Sequence, residues 1–257
     1  MTDSRPAPLP ELAYDNRTGR PPGRGVRLLG LVLRGVARVR AQADPYAEVW
    51  TARNREAMAA IAAGTAGRRW IVLGDSMAQG VGAASPDGGW VGQLAERLTG
   101  AGHDLTLLNL SATGARVPDV LAQQLPVLES LPPADPGAGP DLVTVMIGSN
   151  DLFGGRRHRD ALPGAMRELV ERLPEGAVVA TLPQPRAAAR AANRWIDAAA
   201  SAGRLLTVDL RTAGPDSWRG KVAEDLFHPN ELGYAALADA VEPVAVRALT
   251  GHLRNPS

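Results

Sequence analysis

Five short apolar runs recur along the chain from residue 70 onward: Trp70–Leu73, Leu105–Leu110, Leu142–Ile147, Val178–Leu182 and Leu205–Leu210. Each is too short for a buried helix, and the first four are followed at once by Gly74, Ser111, Gly148 and Pro183, so each is predicted to be a strand. Between them, apolar positions recur at helical spacing over Trp90–Leu98, Val117–Leu128, Ala161–Leu173 and Ala187–Ala202. A long final helix is predicted over Glu231–Leu249. Near-continuous apolar strands separated by amphipathic helices predict an α/β fold, a parallel sheet covered on both faces. Sites in such sheets lie at the carboxyl ends of the strands. Ser76, Ser111–Gly114, Asn150 and Pro183–Pro185 all follow strands and so fall on one rim.

The N-terminal part patterns differently. Residues 1 to about 23 are rich in Pro, Arg and polar side chains and are expected to be disordered. A helix is predicted from Val26 to about Gln42, with Arg24, Arg27, Arg34 and Arg38 on one stripe and Leu29, Val32, Leu33, Val36 and Val39 opposite. From Arg17 to Ala43 there are seven arginines and no acid. Two readings fit: peripheral membrane or partner contact through the basic face, or an apolar face packed on the chain's own domain with solvated arginines. A second helical segment, Pro45 to Ala63, leads into the first strand. The expected division is a basic, partly disordered and helical extension over 1–66, a main α/β domain over 67–250 and a tail over 251–257.

Composition narrows the function. The chain has 257 residues, 45% hydrophobic, 4% aromatic, with formal net charge +1, which argues against a polyanion-binding protein and so against a nucleic-acid partner. With no cysteine, disulfides, thiol nucleophiles and Cys-ligated metals are excluded. No run approaches the roughly 18 to 20 apolar residues of a membrane-spanning helix. Ala41-Gln-Ala43 resembles a signal cleavage site, but Arg34, Arg38 and Arg40 lie between it and the apolar run. The expectation is a cytoplasmic monomer, with peripheral membrane association through the basic helix as the alternative.

The chemistry concentrates in four short segments. Gly74-Asp-Ser76 ends the first strand and presents a hydroxyl that needs a base within hydrogen-bond reach. Among four histidines, His103 looks solvated, His252 lies in the tail, and His158 sits in an arginine-rich loop. His228 has Asp225 three residues earlier, a spacing that brings a carboxylate under an imidazole, so His228 and Asp225 are the candidate base and orienter. Oxyanion donors are sought at the Ser76 and Gly114 amides and the Asn150 side chain. Phe153, the loop to Arg159 and Pro183–Arg186 are candidate walls; Asp75, Phe153 and Pro183 are the candidate substrate contacts. No His-Glu-x-x-His is present, and Gly80-Val-Gly82 fits a nucleotide-binding loop poorly because its sixth position is Ser85. Neither metal nor cofactor is therefore expected.

Gly74-Asp-Ser76 with Gly80, Asn109 to Gly114, Gly148-Ser-Asn150-Asp151 and Asp225-Leu-Phe-His228-Pro-Asn230 together resemble the SGNH hydrolases, the GDSL esterase/lipase superfamily. The resemblance implies a flavodoxin-like three-layer α/β/α sandwich with a five-stranded parallel sheet. It also implies Ser76 as nucleophile, His228 as base, Asp225 as its orienter, and Ser76, Gly114 and Asn150 as the oxyanion hole. The implied substrate is a small-molecule or lipid ester, cleaved by hydrolysis. Acyl transfer with the same triad and an idle docking protein are the alternatives. Met77 stands where a leucine completes the family's name. The N-terminal extension lies outside these blocks, and its removal over 1–43 is expected to spare catalysis.

Overall fold

The computed structural model describes residues 14–20, 33–135 and 137–251. Helices α1 (Arg34–Arg40) and α2 (Ala43–Ala62) precede β1 (Arg68–Gly74), the one-turn helix α3 (Ser76–Gln79) and α4 (Trp90–Gly100). Then follow β2 (Leu105–Asn109), α5 (Val117–Asp119), a π-helical turn Val120–Gln124, α6 (Leu125–Ser130) and β3 (Leu142–Met146). The C-terminal half runs through α7 (Ser149–Leu152), α8 (Arg156–Arg172), β4 (Val178–Ala180), α9 (Ala187–Ser201), β5 (Leu206–Val208) and α10 (Glu231–Leu249).

The five strands form one sheet in the order β2-β1-β3-β4-β5. Every pair is parallel, with Ile71 opposite Leu108 on one side and Val143 on the other. Period-two alternation divides β1 between two cores. Ile71 and Leu73 join Leu108, Val143, Val145 and Val179 under α8 and α9, while Trp70 and Val72 join Leu142, Met146 and Leu206 under α4 and α10. This is the three-layer sandwich expected. The chain reverses its winding between β1 and β3, so their carboxyl ends flank a crevice.

Several expected elements shift. β1 starts earlier than its apolar run because Arg69 is buried in it, its guanidinium bidentate on Asp141 (2.7 and 2.6 Å) and donating to the Pro132 carbonyl at 2.7 Å. β4 stops at Ala180; beyond it the Leu182 amide donates to the Asn193 side chain at 2.9 Å instead of to a strand. His158 stands in the first turn of α8, not in a loop: the helix starts at Arg156 and runs through Pro163.

The N-terminal expectation needs the larger correction. Tyr14 and Asn16, assigned above to a disordered stretch, are buried. Of the predicted basic helix, residues 26–32 lie outside the described residues. In α1, Val36 and Val39 are buried, Val39 in a cluster with Tyr46, Val81 and Ala223. Arg38 pairs with Glu224 at 2.6 Å. Val36 and Val39 thus pack on the chain's own domain, while Leu33 is exposed. Among the described residues no helix is long and apolar enough to cross a membrane.

Candidate active site

β1 ends at Gly74, where an added Cβ would sit 2.9 Å from the Met146 carbonyl oxygen, so only glycine lets α3 turn this close to β3. Gln124 grips this strand end from the π-helical turn, accepting from the Gly74 amide at 2.9 Å and donating to its carbonyl at 2.8 Å. Asp75 is extended and caps α3, its Oδ1 accepting from the Met77 amide at 3.0 Å. The cap and a left-handed Gly80 (φ 84°) confine α3 to a single turn that presents Ser76.

Opposite, the turn Asp225–His228 hangs between paired backbones. The Ala223 amide donates to the His228 carbonyl at 2.8 Å, and Asn230 caps α10 through the Gly233 amide at 3.1 Å. Leu226 closes the turn at φ 58°, a left-handed conformation that costs a non-glycine residue about 1 kcal/mol. Asp225 Oδ1 accepts from the Phe227 and His228 amides, each at 3.0 Å, leaving Oδ2 free for the imidazole. His228 Nδ1 lies 2.6 Å from Asp225 Oδ2, and its Nε2 lies 2.9 Å from Ser76 Oγ. Burial pushes the Asp225 carboxyl up, but the imidazole and the two amides outweigh it and hold the group below the usual carboxylate value. Asp75 behaves oppositely: burial, only partly offset by the Met77 amide and by His228, raises it to about 6.

Asn150 enters from α7, after the left-handed Gly148 (φ 116°) at the end of β3. Its Nδ2 donates to Asp75 Oδ2 at 3.2 Å and to the Ala115 carbonyl at 2.9 Å. Asp151 beside it accepts from the Val117 amide at 3.1 Å and ties α7 to α5. Gly114 is left-handed (φ 79°) with open space where a Cβ would project.

A cavity of about 480 Å³ opens beside Ser76. Asp75, Phe153 and Pro183, the candidate substrate contacts, line it together with Gln184. Arg156, Arg157 and Arg159 do not, nor does Arg186, so the arginine segment is corrected from wall to helix surface. Arg186 instead stacks over the Phe153 ring at 4.8 Å. Sequence reasoning missed the apolar walls Met146, Leu210, Trp218, Leu226 and Phe227. Phe153 meets Phe227 edge-on at 5.3 Å, and Phe227 meets the His228 ring at 5.0 Å. His103 lies at the α4–β2 connection, and His252 lies outside the described residues. Among the described residues no three His, Asp or Glu side chains converge as a metal site.

A profile of the GDSL-like Lipase/Acylhydrolase family matches residues 72–236, from inside β1 into α10. The chain belongs to this family. Solved structures with the same fold include TesA, 23% identical with a TM-score of 0.53, covering 70% of this chain and 99% of that one. A family 3 carbohydrate esterase of Clostridium thermocellum is 21% identical with a TM-score of 0.56, covering 72% and 98%. The psychrotrophic esterase EstA from Pseudoalteromonas sp. is 18% identical with a TM-score of 0.50, covering 71% and 99%. At such identities the likeness is one of fold. No curated protein sequence matches the chain. The matched region of this GDSL-like chain begins after the Tyr14–Arg20 segment, α1 and α2.

Proposed function

We propose that the chain is a serine hydrolase cleaving carboxylic esters through an acyl-enzyme intermediate, with a reaction complete in protein groups. One observation carries this reading: an unbroken hydrogen-bonded series from the Asp225 carboxylate through His228 to the Ser76 hydroxyl, at 2.6 and 2.9 Å. In this reading His228 Nε2 takes the Ser76 proton as Oγ bonds to the ester carbonyl carbon, and Asp225 supports the imidazolium. The carbonyl oxygen becomes an oxyanion facing the Ser76 and Gly114 amides and Asn150 Nδ2. Asn150 has its longer contact, the 3.2 Å one to Asp75, to exchange for that oxygen. Collapse of the intermediate breaks the C–O bond to the alcohol, which leaves with the proton from His228. Water, deprotonated by the same imidazole, then releases the acid and restores Ser76.

The apolar wall of the cavity, from Met146 through Leu210 to Phe227, suits an aliphatic acyl group better than a sugar. The test is turnover of aryl esters graded from acetyl to decanoyl by purified protein, with Ser76→Ala as blank. Ser76→Ala is expected to abolish turnover without changing the circular dichroism spectrum, and His228→Ala to be comparably damaging while His158→Ala is mild. Turnover surviving in Ser76→Ala would overturn the reading.

A further inference from the structure

Residues 14–20 lie outside the region that matches the family, yet they run alongside the segment carrying Gly114. Arg17 forms a parallel β-bridge with Thr113. The Tyr14 hydroxyl donates to the Leu110 carbonyl. Asn16 Nδ2 donates to the carbonyls of Asn109 and Ser111 at 2.6 and 2.8 Å. Asn16 Oδ1 accepts from Thr51 and Asn54 of α2, at 3.2 and 3.0 Å. The strap is thus bonded to α2 on one side and to the β2–α5 segment on the other.

Gly114 is the weak point of that segment. It is left-handed, has no side chain and faces open space, so packing does not hold its dihedrals. Hydrogen bonds do so from both flanks. On one flank, Gln79 Oε1 of α3 accepts from the Thr113 amide and hydroxyl at 3.1 and 2.6 Å. On the other, Arg20 Nη2 donates to the Gly114 carbonyl at 3.1 Å. The Arg20 guanidinium is itself fixed by both carboxylate oxygens of Asp119, each at 2.5 Å. Asp119 in turn accepts from the Arg116 amide at 2.8 Å, which places the far end of the segment on the same carboxylate.

We infer that Arg20 is a positioning residue for the oxyanion hole: from an N-terminal strap outside the family's matched region it holds the Gly114 carbonyl, and with Gln79 on the Thr113 amide it brackets the intervening peptide that carries the Gly114 N–H. The inference rests on the ester-hydrolase reading, since it gives Gly114 its role, and it replaces the expectation that residues 1–43 can be removed without cost to catalysis. Donors act on a developing oxyanion only when preorganised, and displacements of about 1 Å cost up to roughly 100-fold in rate. Because the contact is to the peptide and not to substrate, its loss acts on kcat and not on KM.

The experiment compares full-length wild type, Arg20→Ala and Arg17→Ala. Arg17→Ala removes exposed pairs to Asp44 and Glu48 on the same strap without touching Gly114. Arg20→Ala is expected to lower kcat about tenfold with KM within about twofold. It is also expected to speed amide hydrogen exchange selectively over residues 111–116, read by mass spectrometry. Arg17→Ala is expected to match wild type in both. If Arg20→Ala does not fold, Arg20→Lys, which retains a charge on Asp119 but not the bridge to Gly114, is measured against the same expectations. Unchanged kcat would overturn the inference. So would a loss of exchange protection spread evenly over the domain, which marks general destabilisation. Wild-type protein inactive on every ester would instead sink the hydrolase reading, while the exchange arm would still report whether Arg20 orders Gly114.

Discussion

An aspartate three residues before a histidine is useful only if one carboxylate oxygen is spared for the ring. Here the backbone does the sparing: Oδ1 of Asp225 takes the Phe227 and His228 amides and Oδ2 faces Nδ1. Asp225→Asn can keep the amide contacts through its oxygen, but it loses the negative charge and misdirects the imidazole proton. We expect kcat to fall about 10³- to 10⁴-fold with the circular dichroism spectrum unchanged, measured on the best ester of the panel. A fall below tenfold would mean the carboxylate does not assist the base. Phe153 supports a milder prediction. It is half exposed, lines the cavity and stacks edge-on with Phe227, so its ring contributes acyl contact and not chemistry. Phe153→Ala should raise KM for octanoyl esters about fivefold and leave acetyl esters nearly unchanged, since only the longer chain reaches the missing surface. Equal effects on both esters would place Phe153 outside the acyl path.

At the scale of elements, the turn after α3 is where the N-terminal helices meet the histidine. Tyr46 and Gln42 donate to the Ala83 carbonyl at 2.7 and 2.9 Å, and Gln42 accepts from the Gly82 amide at 2.8 Å. Gly82 sits at φ 105°, and a Cβ there would lie 2.3 Å from the Pro229 carbonyl oxygen and 2.8 Å from His228 Cβ. Gly82→Ala should therefore push the His228 turn away from Ser76. The expected outcome is a kcat loss of about 100-fold or more, together with destabilisation of ~2 kcal/mol read by urea unfolding. Activity near wild type would show that the turn yields without moving the imidazole. Little of this was legible in the sequence. The strands were, because buried parallel strands are apolar throughout, and so were the candidates Ser76, Asp225 and His228, because they sit at a strand end or share one turn. The start of β1 was hidden by Arg69, whose charge reads as surface until Asp141 is seen beside it. The first turns of α8 were hidden by four basic residues and Pro163. Asn16, Asn54, Gln79 and Asn109 contribute to no apolar pattern, yet all four are fully buried, and each is satisfied by partners remote in sequence.

For the molecule as a whole, the crevice between β1 and β3 gathers carboxyl groups with opposed tendencies. Asp225 is held below its ordinary value, whereas Asp75 and Asp151 are each raised to about 6. For Asp151 burial is the main cause, resisted by the Val117 amide and by Arg116. A carboxyl whose folded value lies above its unfolded value of roughly 4 binds its proton more tightly when folded. Its contribution is thus fully present below pH ~4 and is lost as pH rises through ~6. Asp225 works the other way, stabilising the fold above its unfolded value and losing that contribution as pH falls. Asp151→Asn isolates one member of the set, because an amide oxygen can still accept from Val117 while no charge is left to bury. We expect it to be more stable than wild type at pH 8 by ~2 kcal/mol, with the difference closing by pH 4. Thermal unfolding of both proteins across that range is the measurement. A variant less stable at pH 8 would mean that the ionised carboxylate and Arg116 favour the fold more than burial opposes it.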